Sequence, residues 1–395
     1  MPGFQRLIAL LSSAFAITAL VGCDKFLQAA TKDTCVRPPE KLTAVGAVMN
    51  VSDSTNFPCT IDVVDAGITL KLNTEVSSFS YTVARGPDGR FYTSPVKIGA
   101  QLHVWNADGT FQQNFGQPGE APGDLAAGPK FVQFDSSGRI YVGDNNRRWS
   151  VFNSALEFVA SIPASETGIR GNGATGELLS DGSFLSTVHA STGSFTVFDF
   201  SSPDGSAPPV LRAFGPPIPP GISSARRVSH SGGDTFWAGP LSNAGQGYVL
   251  EQWRTDGTLL KTIRRPVSWV PAGIAGTDSG GGAPHPDLQM LHEDGSGVLL
   301  VSWMIFRPDF ARLTAEERGD FTPGKARDKS IDVYFEAIDA NAGVVLASAG
   351  PVRPSSSFGH FPIGYFRGTR EGYVRQENSK HVVSIRMTKT LLIKR

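Results

Sequence analysis

Phe131-Val-Gln-Phe-Asp135-Ser-Ser-Gly138-Arg-Ile-Tyr-Val142 is two runs of β-forming residues joined by a tight polar turn that ends in glycine. Such a stretch reads as a β-hairpin, because Asp and Ser favour the turn and Gly accepts the left-handed backbone that closes it. The same unit stands upstream as Tyr81-Thr-Val-Ala, Gly86-Pro-Asp-Gly89 and Arg90-Phe-Tyr-Thr. Leu102-His-Val-Trp, Asn106-Ala-Asp-Gly109 and Thr110-Phe-Gln-Gln-Asn-Phe follow it, making four short strands in about forty residues.

Downstream the pattern recurs. Turns at Ser180-Asp-Gly182, Ser231-Gly-Gly233, Glu293-Asp-Gly295 and Thr369-Arg-Glu-Gly372 each sit between β-forming runs. A period of forty to fifty residues with four strands per copy predicts an all-β chain: a six-bladed β-propeller of four-stranded antiparallel blades. One such sheet cannot bury both faces alone and must stack on its neighbours around an axis. The sixth copy runs out of chain before its outer strand. Thr60 to Leu72 is expected to supply that strand, closing the ring and removing two open edges.

The predicted organisation is a signal segment over residues 1–22, a tether over 23–59 and the propeller over 60–395, with an insertion at about 306–330. Within the insertion, Leu313-Thr-Ala-Glu-Glu-Arg reads as a short helix capped by Thr314. An excursion of that length suits a lid or a partner contact on the rim, or is a surface insertion tolerated at little cost.

The chain opens with Arg6, an apolar run from Leu7 to Leu20, and Leu20-Val-Gly-Cys23. The run is short for a bilayer span and ends in small residues, as a secretory signal does. Leu20-Val-Gly-Cys23 resembles the bacterial lipobox, which implies acylation of Cys23 and a protein held on a membrane of the bacterial cell envelope, outside the cytoplasm. With Cys23 set aside, Cys35 and Cys59 remain, the even pair expected of one disulfide in an exported chain.

Phe115-Gly116, Gly119-Glu120, Gly123-Asp-Leu125, Pro129, Val132, Phe134-Asp135, Gly138-Arg-Ile-Tyr-Val142, Asp144, Arg147 and Val151-Phe152 fall in the order of the NHL repeat, which this copy resembles. That resemblance implies a propeller blade. Lipobox, tether and six such blades together resemble the six-bladed propeller lipoproteins, most of which have no assigned activity.

Lys and Arg number 36 and so do Asp and Glu, so the chain has no basic excess to draw it to nucleic acid. Propeller ligand sites lie where the inner strands begin. The residues leading into those strands include Lys130, Arg170, Arg226, Arg227, His285 and His360, a cationic set suited to a carboxylate, phosphate or anionic sugar if they converge, and otherwise to pairing with acids such as Asp287. No Gly-x-Ser-x-Gly elbow, phosphate loop or close-spaced histidine pair is present.

The expected function is a membrane-anchored binding or scaffolding module for a protein or small-molecule ligand, with no cofactor. The alternative is a metal-dependent, lactonase-like hydrolase or lyase with a divalent ion in the axial channel.

Overall fold

The computed structural model describes residues 35, 45–51, 56–73, 76, 83–95, 101–125, 129–144, 148–163, 176–187, 193–201, 208–217, 226–240, 247–270, 286–319, 325–354, 362–377 and 383–395. Its strands form six sheets in a ring, each an antiparallel meander from the axis outward. Blade 1 runs from Val83 to Phe115, blade 2 from Pro129 to Pro163, blade 3 from Gly176 to Phe214 and blade 4 from Val228 to Arg264. Blade 5 runs from Asp287 to Val352, and blade 6 comprises Gly364–Tyr365, Glu371–Glu377 and Val383–Lys394. The first strands of blades 1 to 5 approach one another in succession, which makes them the walls of the axis.

Closure is as the sequence predicts. Cys59–Lys71 pairs antiparallel with Val383–Lys394, from Cys59 opposite Lys394 to Lys71 opposite Ser384, so the first part of the chain completes the last blade. Tyr373 of blade 6 then accepts a hydrogen bond from the Val83 N–H of blade 1 at 3.2 Å, sealing the seam.

Between the blades the core is aromatic. Trp105, Trp149, Trp237 and Trp303, from blades 1, 2, 4 and 5, are fully buried, and the last two share the core between blades 4 and 5. Trp149 meets Phe184 edge-on at 5.1 Å across the seam between blades 2 and 3, and Phe195 meets Phe236 at 5.1 Å across the next. Rings stacked edge-to-face between sheets add about 0.5–1.5 kcal/mol a pair to the burial itself.

The segment read as a tether also takes part in the fold. Ala47–Asn50 lies parallel to Leu259–Arg264, Ala47 opposite Lys261 and Asn50 opposite Arg264, and becomes a fifth strand on the rim of blade 4. Met49 packs against Gly343 of blade 5, where a Cβ would come within 2.9 Å of its sulfur, while Val51 and Phe57 join the core between blades 4 and 5. The chain then reaches Cys59, which is bonded to Cys35, with a Cα–Cα separation of 6.3 Å. Among the described residues, this segment thus runs from the outer edge of blade 4, past Gly343 of blade 5, to the bridged Cys59 of blade 6. Closing a loop of this length removes unfolded-state entropy equivalent to ~3 kcal/mol.

In an antiparallel meander alternate connections lie at opposite ends, so the ring has two unlike faces. At one face the turns are short: 86–90, 135–139, 294–297 and 366–370. At the other face stand the long connections, among them 265–286 and the insertion 307–330.

Candidate functional site

Gln133, Glu177 and His292 occupy equivalent places on the inner strands of blades 2, 3 and 5, two residues before the position whose N–H closes the short turn. Each reaches the next blade. The Gln133 amide donates to the Gly176 carbonyl at 2.9 Å and accepts from the Leu178 N–H at 2.5 Å. Glu177 accepts the His230 N–H at 2.8 Å, and His292 Nε2 donates to the Thr369 carbonyl at 2.6 Å. Ser229 does the same work for blade 4, accepting the Glu293 N–H at 2.9 Å. A side chain meeting a neighbouring backbone group satisfies an inner-strand edge that would otherwise lack a partner.

Glu177 is the most chemically distinctive member. It is half-buried, and burial raises its carboxyl from 4.5 to about 7 against the opposing pull of Arg367 and of the His230 N–H. Arg367 belongs to the short turn of blade 6, yet its Nε donates to the His230 carbonyl of blade 4 at 3.1 Å and its guanidinium meets His230 Nδ1. Blades 4 and 6 are not neighbours in the ring, so this side chain crosses the axis at the short-turn end.

His230 Nε2 donates to the Gly233 carbonyl at 3.1 Å, which leaves Nδ1 as the acceptor facing Arg367. Burial, and then the adjacent guanidinium, hold its imidazole down at about 4. The axis thus carries an acid that titrates near neutrality beside an arginine and a histidine kept neutral. Strongly shifted groups gathered in one channel mark a candidate site.

The arginines predicted for the opposite mouth divide sharply. Arg226 turns inward and is 2% exposed: Nε donates to the Gly239 carbonyl at 2.6 Å, Nη2 to Glu251 at 2.5 Å, and the guanidinium lies 4.9 Å from the Phe195 ring. Burial, the Glu251 pair and the Phe195 ring enclose the group, so Arg226 is a structural residue of blade 4. Arg227, next in the chain, is exposed and donates from Nε to the Leu288 carbonyl at 3.1 Å beside Asp287. Adjacent residues of an extended chain point to opposite sides, which is why one arginine is enclosed and the other free to meet solvent. Burial raises the Asp287 carboxyl against the pull of Arg227 and a bond from Gln289.

Lys130 lies in the first strand of blade 2, Pro129–Phe134; its side chain, together with Arg170, His285, His360 and Cys23, falls outside the described residues. Among the described residues no group of three or more His, Cys, Asp or Glu side chains is arranged to hold a metal ion.

No protein-family model matches the chain, and no curated protein matches its sequence. Its fold does have solved counterparts. One is the crystal structure titled "Putative exported protein" from Bacteroides fragilis, with a TM-score of 0.52 over 86% of this chain and 99% of that one, at 11% identity. At that identity the likeness concerns the fold alone. No helix among the described residues is long and apolar enough to cross a membrane.

The sequence offered no local signal for Glu177, His230 and Arg367. They come from three blades, 137 residues separate His230 from Arg367, and only superposing the blades would have aligned Gln133, Glu177 and His292.

Proposed function

We propose that the chain is an extracytoplasmic binding module, acylated on Cys23 and held at a membrane of the bacterial cell envelope, whose NHL-like blades present a ligand site at the long-connection face. The observation that carries this reading is the division of labour between the two ends of the ring. One end is knitted by short turns and cross-axis bonds. The other gathers the longest connections, 265–286 and 307–330, around blade 5, where Arg227 stands exposed beside Asp287. Binding surfaces are commonly built from long loops on a rigid scaffold.

Arg227, with Lys130, Arg170, His285 and His360 leading into the same end of the inner strands, suits an anionic small molecule or an acidic protein segment. Arg226 supports that wall from behind.

The test is a thermal-shift and calorimetric screen of carboxylates, phosphates and uronic acids, repeated on Arg227→Ala and Lys130→Ala. An anion whose affinity falls in these variants while their melting temperature holds supports the reading. Unchanged affinity in both variants, or a screen that yields no anion at all, sinks it.

A further inference from the structure

The six most exposed large apolar side chains among the described residues are Val45, Val210, Val48, Leu211, Val159 and Val344. Val45 reaches 70% exposure and Val210 59%. Their positions in the fold are alike. Val159, Val210, Leu211 and Val344 stand at or next to the start of the outermost strands of blades 2, 3 and 5, while Val45 and Val48 lead into and occupy the strand added to blade 4. An outer strand starts at the same end of its blade as the first, short turn, and Val344 and Val210 pair with Asp339 and Phe198 at that end of the preceding strands. The apolar residues therefore form an interrupted rim around one face, the short-turn face.

The disulfide holds Cys35 at that same face. In the last blade Thr390 donates its N–H to the Arg370 carbonyl within the short turn 366–370, and Cys59 pairs further along, opposite Lys394. Cys35 is held there by its bond to Cys59. Cys23 is twelve residues upstream, a span of at most roughly 40 Å even when fully extended. Apolar side chains gathered towards one face of a folded ring suit contact with a protein or a lipid surface. A chain leading towards a lipid site from the same face selects lipid.

We infer that the ring rests with its short-turn face and apolar rim against the bilayer surface, so that the long-connection face points away from the membrane. The inference rests on Cys23 as the lipid site for its choice of partner, while the rim is a property of the folded ring. Apolar side chains entering the interfacial region gain free energy in proportion to the area they bury, and several shallow contacts around a ring fix its tilt where a single tether cannot.

The experiment places one fluorophore at a time on the full chain, through Val159→Cys or Leu211→Cys on the rim and Asp309→Cys in the insertion, leaving Cys35 and Cys59 oxidised. The acylated protein is reconstituted in phosphatidylethanolamine–phosphatidylglycerol vesicles that carry spin-labelled headgroups. Emission is expected to be lost at 159 and 211 and kept at 309. Equal quenching at all three positions, or stronger quenching at 309, overturns the inference.

A parallel set uses Cys23→Ser with an N-terminal polyhistidine tag on vesicles containing nickel-chelating lipid. Rim quenching in this set, combined with a mass showing no acyl group on the natural chain, would retire the lipid-site reading and keep the orientation. An absence of rim quenching on both kinds of vesicle retires the orientation whatever the mass shows.

Discussion

Glu336 and Glu177 are both carboxyl groups set inside the ring near an arginine, Glu336 between blades 4 and 5 and Glu177 on the axis. The first is sealed. Arg265 donates to it from Nε at 2.9 Å and from Nη2 at 2.7 Å, and neither side chain is more than 2% exposed. Above it the Tyr248 phenol is kept protonated, by burial first and by the nearby carboxylate second. The second is half open. Arg367 acts on Glu177 from across the axis, burial outweighs that attraction, and the carboxyl is poised at about 7. Glu336 has both of its oxygens engaged by one guanidinium, whereas an acid with a distant counter-charge becomes responsive to pH.

The largest effect is expected at the sealed pair. Glu336→Ala leaves Arg265 charged and enclosed, and chemical denaturation should record a loss of about 3–5 kcal/mol. Replacing both partners with apolar residues, Arg265→Met with Glu336→Leu, should recover most of that loss. If the single and double variants were equally unstable, packing rather than charge would govern the site.

Acid lability should be next in size. Burial holds His292 down at about 4, from 6.5, with its ring stacked on Tyr365 at 4.9 Å. The unfolded chain therefore takes up the proton first, and the stability due to this group, present above about 6.5, is lost as pH falls through 4. In His292→Asn the denaturation midpoint should be lower at neutral pH and flatter between those two values.

Glu177 should show the opposite slope. Its stability contribution is present below 4.5 and is lost as pH rises through about 7, so Glu177→Gln should gain stability at pH 8 by roughly 1–2 kcal/mol after allowance for its contact with solvent. The equivalent Glu336→Gln leaves the buried Arg265 charge without its carboxylate and should lose stability instead, which separates the two carboxyls directly. Smallest of all is Arg367→Met. Because solvent reaches Arg367, its removal should leave the melting temperature nearly unchanged while raising the midpoint of the Glu177 titration followed by NMR.

Much of the ring could be read before it was seen, because a propeller repeats its instructions. Asp135 illustrates why: its carboxylate accepts the N–H groups of Ser137 and Arg139 at 2.9 Å each, while Asp294 does the same for Ser296 and Val298. One local chemistry thus marks several turns. The capping box at the insertion was legible for the same reason, with Thr314 and Glu317 bonding each other's N–H groups at 3.2 and 2.8 Å.

Non-local relations were not legible. Ala47–Asn50 is four residues without a turn of its own, and its partner lies more than two hundred positions away. Whether Arg226 or Arg227 faces inward depends on the phase of a short extended stretch, which composition does not reveal. The axial trio needed the whole ring closed before its members could meet.

The bond between Cys35 and Cys59 also sets a path for mechanical load. A pull on the N-terminal segment passes through the sulfur bridge straight into Cys59–Lys71, bypassing residues 36–58, and is then resisted lengthwise by the whole ladder against Val383–Lys394. With the bridge reduced, the same pull would reach Ala47–Asn50 on blade 4 before it reached Cys59, so oxidation decides which part of the molecule yields first under tension.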